Sequence, residues 1–169
     1  ARAHRSENRG ERLGIAVVGV VDDDDVPGKR REAAAPRGGL EHARSTTLNV
    51  ARTSFFPREA YEETLGLLAH EFFHLWNVKR LRPAAFHPYD YAREQYTRLL
   101  WWFEGATSYY ELVALARAGL LSPKRRLEAL GKALTSLERT PGARKMSLEE
   151  ASFLAWVMPS PNPLPIFSS

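Results

Sequence analysis

The sequence predicts an α+β domain that is mostly helical, a short N-terminal sheet portion followed by a helical part. Three observations lead there. β-Branched runs occur only early, at Leu13–Val21 and Ser45–Val50, and short apolar runs of that kind read as strands. A long proline-free run, Tyr61 to Val78, then carries apolar residues on most sides around His70-Glu71-Phe72-Phe73-His74. Beyond it come three further segments with helix start and stop residues at helical lengths.

Taken in order, residues 1–37 form a divergent segment with one expected strand, Leu13–Val21. Asp22–Asp25 lack the ligand spacing of a calcium loop and read as a solvated turn. Residues 27–39 read as a Pro/Gly/Lys/Arg loop, and Phe56-Pro57 ends the strand at Ser45–Val50. Glu59, Glu62 and Glu63 lie in the first turns of the next helix, where acids favour the dipole. Arg80 to Pro88 is a loop, and a second helix is expected from about Glu94 to Ala118, stopped by Gly119. Ser122-Pro123 is an N-cap followed by a first-turn proline, opening a third helix to about Glu138. Ser147-Leu148-Glu149-Glu150 is a capping box opening a short helix to about Trp156. Residues 158–169 read as an irregular Pro-rich tail.

The pattern His70-Glu71-x-x-His74 carries the chemistry. Residues four apart stack on one helix face about 6 Å apart, so two imidazoles can share one Zn²⁺. The Glu beside them can take a proton from water at the metal. Two His and a Glu in so apolar a helix (Leu67, Leu68, Phe72, Phe73, Leu75, Trp76) are costly to bury uncompensated. A hydrolytic zinc site keeps three protein ligands, and the downstream candidates are Asp90, Glu94, Glu104 and Glu111. Glu104 stands out, set in Leu99-Leu100-Trp101-Trp102-Phe103-Glu104-Gly105-Ala106. An acid there has to be paired, metal-bound or protonated. Gly105 and Ala106 are expected to let its helix approach the first closely. Asp90 and Glu94 read as solvated or ion-paired, Glu111 as a hydrogen-bonded or surface acid. Arg80 and Arg82 read as helix-end caps or partners of acids.

Three blocks, GGLEHARST (38–46), HEFFHLWNVKRLRP (70–83) and LLWWFEGATSYYE (99–111), resemble the glycyl aminopeptidase family of PDZ-containing zinc peptidases. These are gluzincins with a thermolysin-like catalytic core, and the resemblance runs from about Gly38 to Ala155. It implies His70, His74 and Glu104 as zinc ligands, Glu71 as general base and Zn²⁺ as cofactor. It further implies that Gly38, Gly39, Leu40 and Glu41 form a substrate-binding edge strand, with Glu41 gripping the free α-amine of a peptide. Without the family context, Gly-Gly-Leu-Glu reads as a glycine-rich turn leading into a strand. No oxyanion donor is assigned; Tyr109 and Tyr110 read as packing residues.

The expected function is therefore a zinc metallopeptidase, an aminopeptidase removing N-terminal residues. The alternatives are a catalytically weak or inactive fragment that binds zinc or peptide, and a zinc endopeptidase. Residues 38–157 would be a partial catalytic domain, because the resemblance implies a longer protein with a β-rich domain, a further helical domain and a PDZ domain. Such flanking domains are expected in full-length relatives. A net charge of +4 with scattered basic residues gives nucleic-acid binding little support. The nine-residue apolar run at Leu13–Val21 cannot span a bilayer. The absence of cysteine excludes disulfides and thiolate zinc sites, and leaves a soluble cytoplasmic or periplasmic location open.

Overall fold

The computed structural model describes residues 38–155. The expected strand Leu13–Val21, the Asp22–Asp25 turn, most of the 27–39 loop and the 158–169 tail lie outside the described residues; the last helix, expected to about Trp156, ends at Leu154.

Two strands open the described region. β1 (Gly38–Glu41) pairs antiparallel with β2 (Thr46–Asn49), Gly38 opposite Asn49 and Glu41 opposite Thr46. The first two residues of β1 thus replace the last two of the expected loop. Along and just beyond β2, Thr46, Leu48 and Val50 are buried while Thr47 and Asn49 are not. That period of two is the mark of a sheet with one covered face. Leu48 and Val50 pack with Leu67 and Leu68 of the helix that follows.

α1 (Arg58–Phe73) lies against both strands and against α2 (Leu100–Arg117). Buried residues of the first helix and its cap, Thr64, Leu67, His70, Glu71 and His74, recur every three or four positions, so one face is covered. Four of those five residues are polar. α1 stops at Phe73 and leaves His74 as its C-cap, still in helical conformation at φ −59°, ψ −17°. The chain continues in tight turns to Leu81, stitched by Lys79 N–H to His74 O at 3.0 Å and Leu81 N–H to Trp76 O at 2.8 Å. The helix expected through Val78 is therefore shorter, but the register of its two histidines is kept.

α2 starts six residues later than expected. Asp90 Oδ1 accepts from Ala92 N–H, Asp90 Oδ2 pairs with Arg93, and Gln95 donates to Asp90 O. Thr97 Oγ1 accepts from Leu99 N–H. These local side-chain bonds offer the backbone an alternative to the helix. At its far end Gly119 takes φ 71°, the left-handed conformation that stops α2 as expected.

α3 (Pro123–Arg139) opens on Ser122, whose hydroxyl accepts from Arg125 N–H at 3.2 Å. α4 (Leu148–Leu154) opens on Ser147 with both halves of the capping box formed. α4 packs on α2 and supplies its missing cap: Leu99 makes no side-chain cap, and Trp101 N–H donates to the buried Ser152 Oγ at 3.0 Å. Among the described residues the architecture is mostly helical with one two-stranded sheet, an α+β arrangement. No helix among them is long and apolar enough to cross a membrane.

Candidate metal and catalytic site

The site forms where the C-terminal end of α1 meets the first turns of α2. His70 and His74 come from one face of α1, and their Nε2 atoms lie 3.1 Å apart. Glu104, one turn into α2, brings Oε2 to 3.2 Å from His70 Nε2 and 3.7 Å from His74 Nε2. The three donor atoms lie within 4.8 Å of one another. Tetrahedral ligands at about 2.0–2.1 Å from one zinc stand roughly 3.3 Å apart, so the three residues fit such an ion. Both histidines are buried and Glu104 is partly so.

Each imidazole is aimed by a second bond on its other nitrogen. His74 Nδ1 donates to Asn77 O at 3.1 Å, and His70 Nδ1 bonds Glu111 Oε2 at 3.0 Å. A carbonyl can only accept, so His74 carries its proton on Nδ1 and, when neutral, turns the Nε2 lone pair to the cluster. Asn77, itself buried, donates through Nδ2 to Phe103 O at 3.1 Å and to Thr107 Oγ1 at 3.1 Å. One asparagine thereby fastens the end of α1 to α2 and sets the tautomer of a site histidine.

The charges couple in the metal-free protein. Burial works against an imidazolium at His70, but hydrogen bonds to Glu104 and Glu111 outweigh it and raise its pKa to about 9. Burial likewise works against the Glu104 carboxylate, and hydrogen bonds from His70 and His74 overcome that, lowering its pKa to about 2. For His74, burial is again outweighed, by Glu104 and by the Asn77 carbonyl, and its pKa rises. Glu71 is raised above the ordinary carboxylate range, chiefly by burial, with the two histidine charges pulling the other way.

Glu71 points to the sheet side. A Cβ built on Gly39 would overlap the Glu71 side chain, from Cγ to its carboxyl oxygen, so β1 passes directly beside this acid. Gly38, in contrast, has open space around it, and Leu40 is exposed. Glu41 closes β1, and its Oε1 lies 3.0 Å from Lys79 Nζ. A cavity of about 510 Å³ opens beside the cluster, with Glu41, Lys79, His74 and Glu104 in its walls and Phe86, Tyr89 and Phe103 among its apolar lining.

The structure thus brings His70, His74, Glu104, Glu71 and Gly39 to one place, with Glu41 at the adjoining cavity. Gly105 corrects an expectation: nothing lies within 4 Å of a Cβ built on it, so it does not mediate the helix approach. Gly66 faces α2 instead, where an added Cβ would stand 3.5 Å from Glu111 Oε1. Glu111 is a hydrogen-bonded acid, and its bond falls on a candidate metal ligand. Its seven-residue offset from Glu104, two turns along one face, was the available sign. Asp90 and Arg93 pair with each other away from the cluster. Arg80 donates to Leu75 O at 2.7 Å, and Arg82 lies over the Tyr89 ring. Tyr110 stacks on Phe73 at 4.8 Å.

The model of the family described as M61 glycyl aminopeptidase matches residues 63–163. A solved structure, an aminopeptidase N family protein from Idiomarina loihiensis, is 40% identical with a TM-score of 0.69. The match covers 74% of this chain and 22% of that one, so the chain spans about a fifth of that relative's length. No curated protein matches the chain.

Proposed function

The chain belongs to the M61 glycyl aminopeptidase family, and from that premise we propose that residues 38–155 carry the catalytic constellation of a zinc-dependent aminopeptidase with a thermolysin-like core. The observation that carries the reading is the convergence of two Nε2 atoms and one carboxylate oxygen within 4.8 Å, each histidine aimed by a second bond. His70, His74 and Glu104 would hold Zn²⁺. When bound, the ion supplies Lewis acidity that brings the pKa of water near 7 and polarises a scissile carbonyl.

The protein's own groups do the rest. Glu71 is the general base, taking the proton of the attacking water and delivering it to the leaving amine. Its burial raises its proton affinity, which suits a group that must both accept and release a proton near neutral pH. β1 would pair with the substrate backbone in the manner of an added strand. Gly39 permits that strand to lie against Glu71, since any side chain there would take the acid's space. Glu41 would hold the substrate's α-ammonium, a charge-assisted contact that fixes how far the chain end reaches past the scissile bond.

The test separates metal from base. Glu71→Gln should keep stoichiometric zinc by elemental analysis and lose at least about a hundredfold in turnover of an amino-acyl arylamide. His74→Ala and Glu104→Ala should lose the zinc itself. Near-native turnover in Glu71→Gln would remove the base assignment. Equal cleavage of free and N-acetylated peptides would favour an endopeptidase instead.

A further inference from the structure

The carboxylate at the end of β1 already holds an ammonium. Lys79 Nζ lies 3.0 Å from Glu41 Oε1, and both side chains are about three-quarters buried, at 24% and 22% exposure. Lys79 comes from the turns after α1, where its own N–H donates to His74 O at 3.0 Å. The ammonium is therefore tied, through one turn of backbone, to a histidine of the metal cluster. Both members of the pair line the cavity that His74 and Glu104 also line. Chemically, a lysine ammonium is a compact cation with three N–H donors, the same group that a peptide presents at its N-terminus.

We propose that Lys79 is a specificity-determining residue: a resident ammonium that occupies the Glu41 carboxylate in the empty cleft and is displaced by the α-ammonium of an incoming peptide. The inference rests on the reading of Glu41 as the amine anchor. Two ammonium groups on one carboxylate stand a few ångströms apart and repel, so a bound peptide and Lys79 compete for the same oxygens. The pair lines the cavity, so an incoming ammonium reaches the same carboxylate and the exchange replaces one ion pair with another. The flexible lysine stem lets the displaced cation swing along the cavity wall. A chain end without a positive charge has nothing with which to displace Lys79, so it gains nothing from Glu41 and leaves the pair intact. Lys79 tunes the affinity of the anchor and touches no reacting atom.

Calorimetry on the zinc-loaded chain tests this without relying on turnover. The probes are alanine hydroxamate and its N-acetylated form, which share a zinc-chelating group and differ in the amine. Lys79→Met should tighten the free-amine probe about three- to fivefold and leave the acetylated probe unchanged. Lys79→Arg, which keeps the cation, should bind both as the unaltered chain does. Lys79→Gln, read beside the Met variant with thermal melting of each, guards against an effect of folding. If neither neutral variant tightens the free-amine probe while Glu41→Gln abolishes the preference for it, the displacement idea is overturned and the anchor reading survives. If Glu41→Gln keeps that preference, the anchor reading and this inference both fall. Binding of neither probe overturns the metal reading and the inference with it.

Discussion

α1 and α3 are of nearly equal length, sixteen and seventeen residues, and they teach opposite lessons. α3 has the cleaner pattern: Leu127, Leu130, Leu134 and Leu137 recur at three- and four-residue steps along an otherwise charged helix. Yet no residue of α3 is buried, and Leu127 and Leu134 are largely exposed. α1 mixes apolar and polar residues around its circumference, yet it buries His70 and Glu71, with His74 beyond its end. What seats α1 is less an apolar stripe than a polar lattice. Asn77 reaches across to Phe103 O and Thr107, and Glu111 reaches back to His70. Buried polarity that is fully partnered is expensive to assemble and specific once assembled, and here it coincides with the residues that can do chemistry.

The comparison can be broken at its strongest point first. Asn77→Ala strips the lattice of its central donor and leaves the Thr107 hydroxyl and the Phe103 carbonyl without that partner. Chemical denaturation should show a loss of about 2–3 kcal/mol. If the loss is below about 0.5 kcal/mol, α1 and α2 are held by packing and the contrast with α3 disappears.

Glu111→Ala comes next. It removes the acid that aims His70 without touching a proposed ligand, and zinc affinity measured against a competing chelator should fall about 10–100-fold. An unchanged affinity would return Glu111 to a purely structural role.

The pH response sharpens the electrostatic side of the contrast. His70 rises from its ordinary 6.5 to about 9, so its contribution to metal-free stability is full below 6.5 and is lost as pH climbs through about 9. Glu104 falls from 4.5 to about 2, so its contribution is full above 4.5 and is lost as pH drops through about 2. The metal-free chain should therefore draw most from this cluster between about pH 4.5 and 6.5. Zinc must displace the His70 proton, so uptake near pH 7 should release protons and strengthen toward pH 9. Calorimetry in buffers of different ionisation enthalpy reads that release directly, and its absence would contradict the coupled charges.

The smallest effect belongs to α3. Leu127→Ser and Leu134→Ser should each shift stability by no more than about 0.5 kcal/mol in this chain. A larger loss would mean that the stripe is covered.

How much of this was legible in the sequence depended on distance along the chain. The two histidines share one helix, and their spacing alone puts them together. Glu104 could be picked out because an acid among Trp101, Trp102 and Phe103 needs a partner. Strand β2 and the caps at Ser122 and Ser147 follow from nearest neighbours and appear within a residue or two of expectation. Harder were the features made by side chains reaching back to local backbone: Asp90 and Thr97 accompany a non-helical stretch at 94–99, where the second helix was expected to begin. Hardest were long-range pairings. Lys79 and Glu41 lie 38 positions apart, and nothing in either neighbourhood announces the other. Gly66 and Gly105 look alike as letters, and only the placement of Glu111 shows which one faces the neighbouring helix.

The hydrogen bond from Trp101 N–H to Ser152 ties the entrance of α2 to a residue fifty-one positions away. Glu104 sits one turn past that entrance, so a helix that frayed there would unwind toward the acid. Where a protein engineer can cut this chain is thereby decided near its far end: trimming back through 152 removes the bond that caps the helix presenting Glu104.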